Sequence, residues 1–173
     1  MQLVLERCTI RAWRSDDAES LAKHANNRKV WVALRDLFPH PYTIQDAHEF
    51  LHRAISEQPT TKFCIEVEGV AAGGIGIRLG EDVHRQTAGL GYWLGEKFWA
   101  RGIMTDTVAA FTDFCFNSFL LRRIYAEVFA NNPASARVLE KAGFVFERPP
   151  QEQRHQRRTA SRFTALCQDQ VEA

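Results

Sequence analysis

The chain has 173 residues, of which 45% are hydrophobic, a length that favours one domain with a single core. Its 22 Lys and Arg against 21 Asp and Glu give a formal charge of +1, which argues against a general nucleic-acid binder. No apolar run reaches the length of a membrane span or of a signal-peptide core. The four cysteines lack the paired spacing of a zinc ribbon or a disulfide framework. We therefore expect a cytoplasmic protein without a membrane partner.

Hydrophobic periodicity, turn residues and capping residues predict strands and helices along most of the chain. The clearest signals are a capping box at Thr43 and Asp46, and Asn132 and Pro133 ahead of a helix that Gly143 ends. The predicted elements are a strand over 3–10, helices over 15–27 and 43–58, a hairpin of strands 63–67 and 70–77, a strand over 88–94, a helix over 105–119, a strand over 123–129, a helix over 133–142, and strands over 144–147 and 162–167.

The order of these elements indicates a mixed α and β class, with one central, mostly antiparallel sheet and helices on both faces. We expect a single domain over 1–173, with its core over about 3–148 and a tail after the last strand. Residues 149–161 are polar, basic and aperiodic, which predicts a loop. Its basic group near Arg154 is more typical of a solvated surface than of an RNA or acidic partner.

The stretch 91–105 predicts a strand that passes through a tight turn into a helix start. Such a turn leaves backbone N–H groups unpaired, and together with the helix dipole they suit a pyrophosphate. Gly102 would let the backbone approach the anion closely. An ordinary strand-to-helix turn with a basic surface residue explains this segment equally well when it is taken alone.

A second stretch of sequence favours the pyrophosphate site over an ordinary turn. The sequences RIYAEV over 123–128 and NNPASARVLEKAGF over 131–144 resemble the GNAT superfamily, and within it the Rim-type ribosomal-protein N-terminal acetyltransferases. The resemblance runs from about Leu5 to Glu147. It implies an acetyl-CoA-dependent N-acetyltransferase that passes the acetyl group to a primary amine by direct attack in a ternary complex, without a metal. The implied acceptor is a protein N-terminus or a small-molecule amine, and because relatives are often dimers a homodimer is open.

The resemblance also implies roles for particular residues. The pyrophosphate pattern Q/R-x-x-G-x-G/A falls on 99–104, where only Gly102 fits strictly. The sheet is implied to splay between 92–94 and the strand beginning near Arg123, with the pantetheine arm in the gap. Ser135 is implied to protonate the departing thiolate, and a backbone N–H near Leu94 to stabilise the oxyanion. The implied cofactor-binding residues are Tyr92, Trp93, Leu94, Arg101, Gly102, Ile103, Met104, Thr105, Asn132 and Ser135.

Structural explanations remain open for two of these residues, because Asn132 can simply cap its helix and Ser135 can stabilise the first turn. In relatives, the connection between the two early helices overhangs the acceptor. The residues that this connection suggests for an acceptor pocket are Trp31, Phe38, Tyr42 and His48. Packing alone would explain them nearly as well.

The general base is missing from its usual place. Many relatives carry a glutamate just before the Gly-Tyr-Trp-Leu segment to accept the proton of the amine, and here that position is Gly89. His84, His48 and Glu66 are the candidate replacements, and the sequence does not rank them. The absent acid leaves open a CoA-binding domain without catalysis.

The main rival interpretation is a zinc hydrolase. The segment His48-Glu49-Phe50-Leu51-His52 matches H-E-x-x-H on a predicted helix, which sets two imidazoles on neighbouring turns. No later His or Glu lies on a following helix as a third ligand, because the next predicted element is a strand. We therefore expect no metal site and favour coincidence for this motif.

Overall fold

The computed structural model describes residues 1–147 and 160–167, and the chain clusters into two compact units. The first unit comprises Met1–Gly76 with Tyr92–Thr107, and the second comprises Ile77–Gly91 with the described part of Val108–Ala173. The single-domain expectation stays a prediction. The predicted basic loop lies outside the described residues as far as position 159.

The described residues form a mixed α and β fold, as predicted. The strands are β1 (Gln2–Val4), β2 (Thr9–Ala12), β3 (Lys62–Val67), β4 (Val70–Leu79), β5 (Thr87–Leu94), β6 (Arg123–Phe129), β7 (Val145–Glu147) and β8 (Ala160–Leu166). The α-helices are α1 (Ala18–Ala25), α2 (Arg28–Trp31), α3 (Ile44–Ser56), α4 (Ile103–Ser118) and α5 (Pro133–Lys141). The strand order is β1-β2-β3-β4-β5-β6-β8-β7, and most pairs are antiparallel. Among the described helices, none has the length and apolar content needed to cross a membrane.

In the first unit, strands β1 to β4 pair antiparallel, with Ile10 opposite Ile65 at the centre. Trp13, Leu21 and Leu51 belong to the buried core against which α1 and α3 pack. Burying one leucine of this kind contributes about 2 kcal/mol. The α3 start has the predicted capping box, because the Thr43 hydroxyl accepts from the Asp46 amide at 3.2 Å and the Asp46 carboxylate accepts from the Thr43 amide at 2.7 Å.

A buried ion cluster ties β2 to its neighbours in the first unit. Arg11 donates to both carboxylate oxygens of Asp17, at 2.8 and 2.7 Å, and its Nε donates to Glu66 at 2.6 Å. Arg11 and Asp17 are both nearly fully buried. Breaking such a buried pair by removing one partner leaves an uncompensated charge, which typically costs about 3–5 kcal/mol.

In the second unit, β5 and β6 are parallel, and β6, β8 and β7 are antiparallel. The β5–β6 register runs from Thr87 with Arg123 to Leu90 with Ala126. It therefore ends before either strand does. The buried side chains of this unit include Phe111, Ile124, Leu139, Phe144 and Phe163.

Some element boundaries differ from those predicted, for local reasons. The strand predicted over 3–10 is a hairpin of β1 and β2, closed by a hydrogen bond from the Leu5 amide to the Cys8 carbonyl at 2.9 Å. Helix α2 was not predicted, because its four residues are too few to show a period. It begins where the Asn27 side chain accepts from the Lys29 amide at 2.8 Å. Helix α4 begins at Ile103, two positions before the prediction.

Candidate active site

The loop between β5 and α4 is tied down at its first part. The Trp99 indole N–H donates to the Leu94 carbonyl at 2.7 Å, and the Gly95 amide donates to the Ala72 carbonyl at 2.8 Å. Further along, Ala100 and Gly102 both have left-handed backbones, with φ of 58° and 77°. Helix α4 begins at the residue after Gly102, so the unpaired backbone N–H groups of its first turn lie at the end of this loop. This arrangement suits an anion.

Two arginines add positive charge to this loop. The Arg7 guanidinium donates to Asp106 at 2.6 Å, and its Nε would lie 3.8 Å from a Cβ added to Gly102. Arg101 donates to Glu68 at 2.6 Å, and this hydrogen bond lowers the pKa of the Glu68 carboxyl. Sequence reasoning named Arg101 but missed Arg7. No local pattern could have found Arg7, because its approach to Gly102 depends on the fold.

The strand end ahead of the loop contains the predicted residues Tyr92, Trp93 and Leu94. Leu94 is buried, while Tyr92 and Trp93 are half-buried. The next amide along the chain, that of Gly95, is occupied by the Ala72 carbonyl. An oxyanion donor in this segment would therefore have to come from a residue before Gly95.

An aromatic cluster joins most of the predicted acceptor pocket. The Phe38 ring centroid lies 4.9 Å from that of Tyr42 and 6.0 Å from that of Trp93, and the Trp31 indole N–H donates to the Phe38 carbonyl at 3.0 Å. Burial raises the pKa of Tyr42 to about 12. His48 lies instead on the exposed side of α3, where it lines a surface groove.

The start of α5 has the predicted cap. The Asn132 side-chain oxygen accepts from the Ser135 amide at 3.1 Å, and Pro133 occupies the first helical position. The capping role of Asn132 is thus confirmed, while its contact with a cofactor stays a prediction. Ser135 is half-buried in the first turn of the helix.

The three candidate bases lie in different places. Glu66 is in β3 and accepts from Arg11 at 2.6 Å, which occupies one of its oxygens. His84 is exposed in a short 3-10 helix between β4 and β5, and His48 is exposed on α3. Glu66 and His48 belong to the first unit and His84 to the second.

The H-E-x-x-H segment lies on α3 with both histidines exposed. Glu49 accepts from the Gln45 amide group at 3.0 Å. Within residues 1–147 and 160–167, no group of three His, Cys, Asp or Glu side chains is arranged to hold a metal ion. Three of the four cysteines are buried, and burial raises the pKa of Cys64 and of Cys115 to about 12, which disfavours the thiolate.

Comparison with known proteins shows to which family the chain belongs. Residues 7–145 match the family model described as the acetyltransferase (GNAT) domain. The chain belongs to the GNAT acetyltransferase family. Over 151 residues it is 26% identical to the uncharacterized N-acetyltransferase p20 of Bacillus licheniformis, covering 84% of this chain and 83% of that protein. It is 48% identical to the probable N-acetyltransferase YjcK of Bacillus subtilis (strain 168) over 59 residues, which span only 34% of this chain and 33% of that protein.

Solved structures of GNAT proteins share the fold. The ribosomal-protein-S5-alanine acetyltransferase from Vibrio fischeri aligns with a TM-score of 0.80 at 20% identity, covering 98% of both chains. The ribosomal L7/L12 alpha-N-protein acetyltransferase RimL, solved in complex with coenzyme A, aligns with a TM-score of 0.77 at 18% identity, covering 95% of this chain and 96% of that chain. Both confirm the predicted resemblance to Rim-type enzymes at the level of the fold.

Proposed function

We propose that the protein is an acetyl-CoA-dependent N-acetyltransferase that transfers the acetyl group to a primary amine. The observation that carries this proposal is the backbone of the loop before α4, where Ala100 and Gly102 are both left-handed inside the region that matches the GNAT family model. A left-handed alanine costs about 1–2 kcal/mol, so its presence here suggests a backbone shaped for a ligand.

In this proposal the backbone amides of 101–105 bind the pyrophosphate of acetyl-CoA. The helix dipole of α4 and the charges of Arg7 and Arg101 would favour that binding. Both guanidiniums are oriented by carboxylates, Arg7 by Asp106 and Arg101 by Glu68. An anchored arginine loses less side-chain entropy when it meets a phosphate, which supports its use as a phosphate contact.

The chemistry we propose is direct attack of the amine on the thioester. The amine lone pair forms a bond to the carbonyl carbon, and a backbone N–H near Leu94 stabilises the oxyanion. The carbon–sulfur bond then breaks with its electron pair going to sulfur, and Ser135 gives a proton to the thiolate as it leaves. The proton that the amine nitrogen loses passes to solvent, from which the serine hydroxyl is restored. No covalent enzyme intermediate is required.

For the acceptor we propose first a protein N-terminus and second a small-molecule amine. The Phe38, Tyr42 and Trp93 cluster supports an acceptor that carries an apolar group near its amine. RimL and the Vibrio fischeri enzyme are named for acetylating ribosomal proteins. A cytoplasmic location and a homodimer remain predictions of the same kind.

The experiment is an acetyl-CoA melting shift combined with turnover over an amine panel. The panel compares peptides with free N-termini, the same peptides blocked at the N-terminus, and small amines such as polyamines. We expect acetyl-CoA to raise the melting temperature, and free-N-terminal peptides to be acetylated. A shift without turnover of any amine would indicate a CoA-binding domain without catalysis. Neither shift nor turnover, with metal-dependent hydrolysis instead, would indicate the zinc hydrolase.

A further inference from the structure

Tyr125 occupies the space into which a side chain at position 89 would project. The parallel register of β5 and β6 sets Gly89 opposite Tyr125. A Cβ added to Gly89 would lie 3.3 Å from both the Cζ and the hydroxyl oxygen of Tyr125. The end of the phenol therefore lies over β5, at the position where residue 89 has no side chain of its own.

The Tyr125 ring contacts two arginines, Arg123 of its own strand β6 and Arg162 of the neighbouring strand β8. The Arg123 guanidinium lies 5.5 Å from the ring centroid and that of Arg162 lies 5.0 Å from it. Each guanidinium is in turn bound to a carboxylate, Arg123 to Glu147 at 2.6 Å and Arg162 to Glu127 at 3.1 Å. A ring in contact with two anchored cations keeps a defined position, so the hydroxyl group does too.

The Tyr125 hydroxyl is available to a substrate. Tyr125 is half-buried, and within residues 1–147 and 160–167 its hydroxyl group forms no hydrogen bond. A phenol oxygen can both donate and accept a hydrogen bond. Glu66, by contrast, is already engaged by Arg11.

We propose that Tyr125 is a catalytic residue of the acetyl transfer, contacting the acceptor amine through its hydroxyl oxygen. The inference rests on the proposed function. The oxygen accepts a hydrogen bond from an amine N–H, which aims the nitrogen lone pair at the thioester carbonyl. As the nitrogen–carbon bond forms and the carbon–sulfur bond breaks, the electron pair of the latter goes to sulfur, which takes a proton. The proton lost by nitrogen passes to a water molecule hydrogen-bonded to Tyr125 and from there to solvent.

The first test is Tyr125→Phe, which removes the hydroxyl and keeps the ring. We expect kcat/KM for the amine to fall by about tenfold to a thousandfold, the range of one positioned hydrogen bond or proton-transfer group. The melting temperature and its rise with acetyl-CoA should both stay at the wild-type values, because the ring contacts remain. An unchanged kcat/KM would overturn the proposal.

Two double variants test whether a group in the space beside Gly89 can act on the amine. Tyr125→Ala opens the space beside Gly89, and adding Gly89→Glu puts a carboxylate there, while adding Gly89→Gln puts an uncharged side chain of the same shape. We expect the Glu double variant to exceed Tyr125→Ala by at least about tenfold in kcat/KM, since a base within reach contributes that much. Its activity should rise with pH through the range where a carboxyl ionises, and the Gln double variant should not recover. Equal rates for the two double variants would overturn the inference.

Failure of this inference is distinguishable from failure of the proposed function. If the wild-type protein acetylates an amine and Tyr125→Phe does so equally well, the acetyltransferase stands and only the role of Tyr125 falls. If the wild-type protein shows neither an acetyl-CoA melting shift nor turnover of any amine, the proposed function falls and takes the role of Tyr125 with it.

Discussion

The helices α4 and α5 both begin in the second half of the family match, yet their first turns are built differently. At α5, Asn132 accepts from the Ser135 amide and Pro133 supplies no N–H, so its exposed donors are partly satisfied by the chain itself. At α4, the preceding residues Ala100, Arg101 and Gly102 carry no side-chain oxygen that could act as a cap. Their backbone bends instead through two left-handed positions.

The difference separates a helix start that serves folding from one suited to a ligand. A side-chain cap contributes about 1 kcal/mol by occupying amides, and the same occupation removes them from an anion. The start of α4 has no such side-chain cap, and the backbone before it is strained. A bound pyrophosphate would offset the free-energy cost of both. We therefore expect changes at α4 to affect cofactor binding, and changes at α5 to divide between stability and turnover.

The largest effect should follow Gly102→Val, which tests whether the loop before α4 binds acetyl-CoA. A β-branched residue at φ of 77° is strained. Its side chain would project toward Arg7 and the space where we propose that the pyrophosphate binds. At an acetyl-CoA concentration a hundred times its Kd, the wild-type protein should gain about 2.7 kcal/mol of stability. The variant should fold and lose this gain, as measured by the melting temperature with and without acetyl-CoA.

The matched control is Gly143→Val. Gly143 also has a left-handed backbone, with φ of 90°, and an added Cβ there meets no atom within 4 Å. This variant carries similar strain at the far end of α5, so it should lower the melting temperature but keep the acetyl-CoA shift. Normal binding of acetyl-CoA by Gly102→Val would mean that the pyrophosphate loop is misplaced.

The same contrast explains which parts of the molecule sequence reasoning could reach. The helices α3 and α5 were predicted nearly to the residue, because Thr43 with Asp46 and Asn132 with Pro133 are local signals. The α4 start was predicted two residues late, since no capping residue marks it. The left-handed φ of Ala100 was not predicted either, because alanine carries no preference for that conformation.

Other features depend on which strands become neighbours. Arg7 reaches the vicinity of Gly102, and Tyr125 lies over Gly89, only after the sheet sets their register. Strand pairing between distant segments leaves little trace in one sequence, so neither residue was predicted as part of a site. The predicted roles of Leu94 and Ser135 concern a bound cofactor and stay predictions.

A smaller effect should follow Ser135→Ala, which tests the α5 side. If the hydroxyl donates to the departing thiolate, it acts mainly in the transition state, so kcat and kcat/KM should fall together by about tenfold to a thousandfold. The acetyl-CoA melting shift should change little. Steady-state rates and melting curves on one preparation measure both quantities.

The control for that prediction is Asn132→Ala, which removes the cap but leaves the Ser135 hydroxyl. It should lower the free energy of unfolding by about 1 kcal/mol in a denaturant titration. Asn132→Asp should retain most of that stability, because its carboxylate can accept the same amide. If Ser135→Ala instead loses stability like Asn132→Ala and keeps normal turnover per folded molecule, Ser135 serves the helix and not the chemistry.

The smallest effect should follow replacement of the two histidines of α3. Like α5, this helix begins with a side-chain cap that occupies a backbone amide of its first turn. His48 and His52 are exposed, and their neighbour Glu49 is hydrogen-bonded to Gln45. Exposed side chains of this kind usually change the free energy of unfolding by less than about 0.5 kcal/mol when they are replaced. We therefore expect His48→Ala and His52→Ala to leave the melting temperature and its rise with acetyl-CoA nearly unchanged, and added zinc not to activate the protein. Metal analysis of protein prepared without added metal gives the decisive comparison. The acetyltransferase proposal would be overturned by stoichiometric zinc that is lost in His52→Ala together with a hydrolytic activity. That result would show that the two imidazoles on adjacent turns bind zinc with a third ligand.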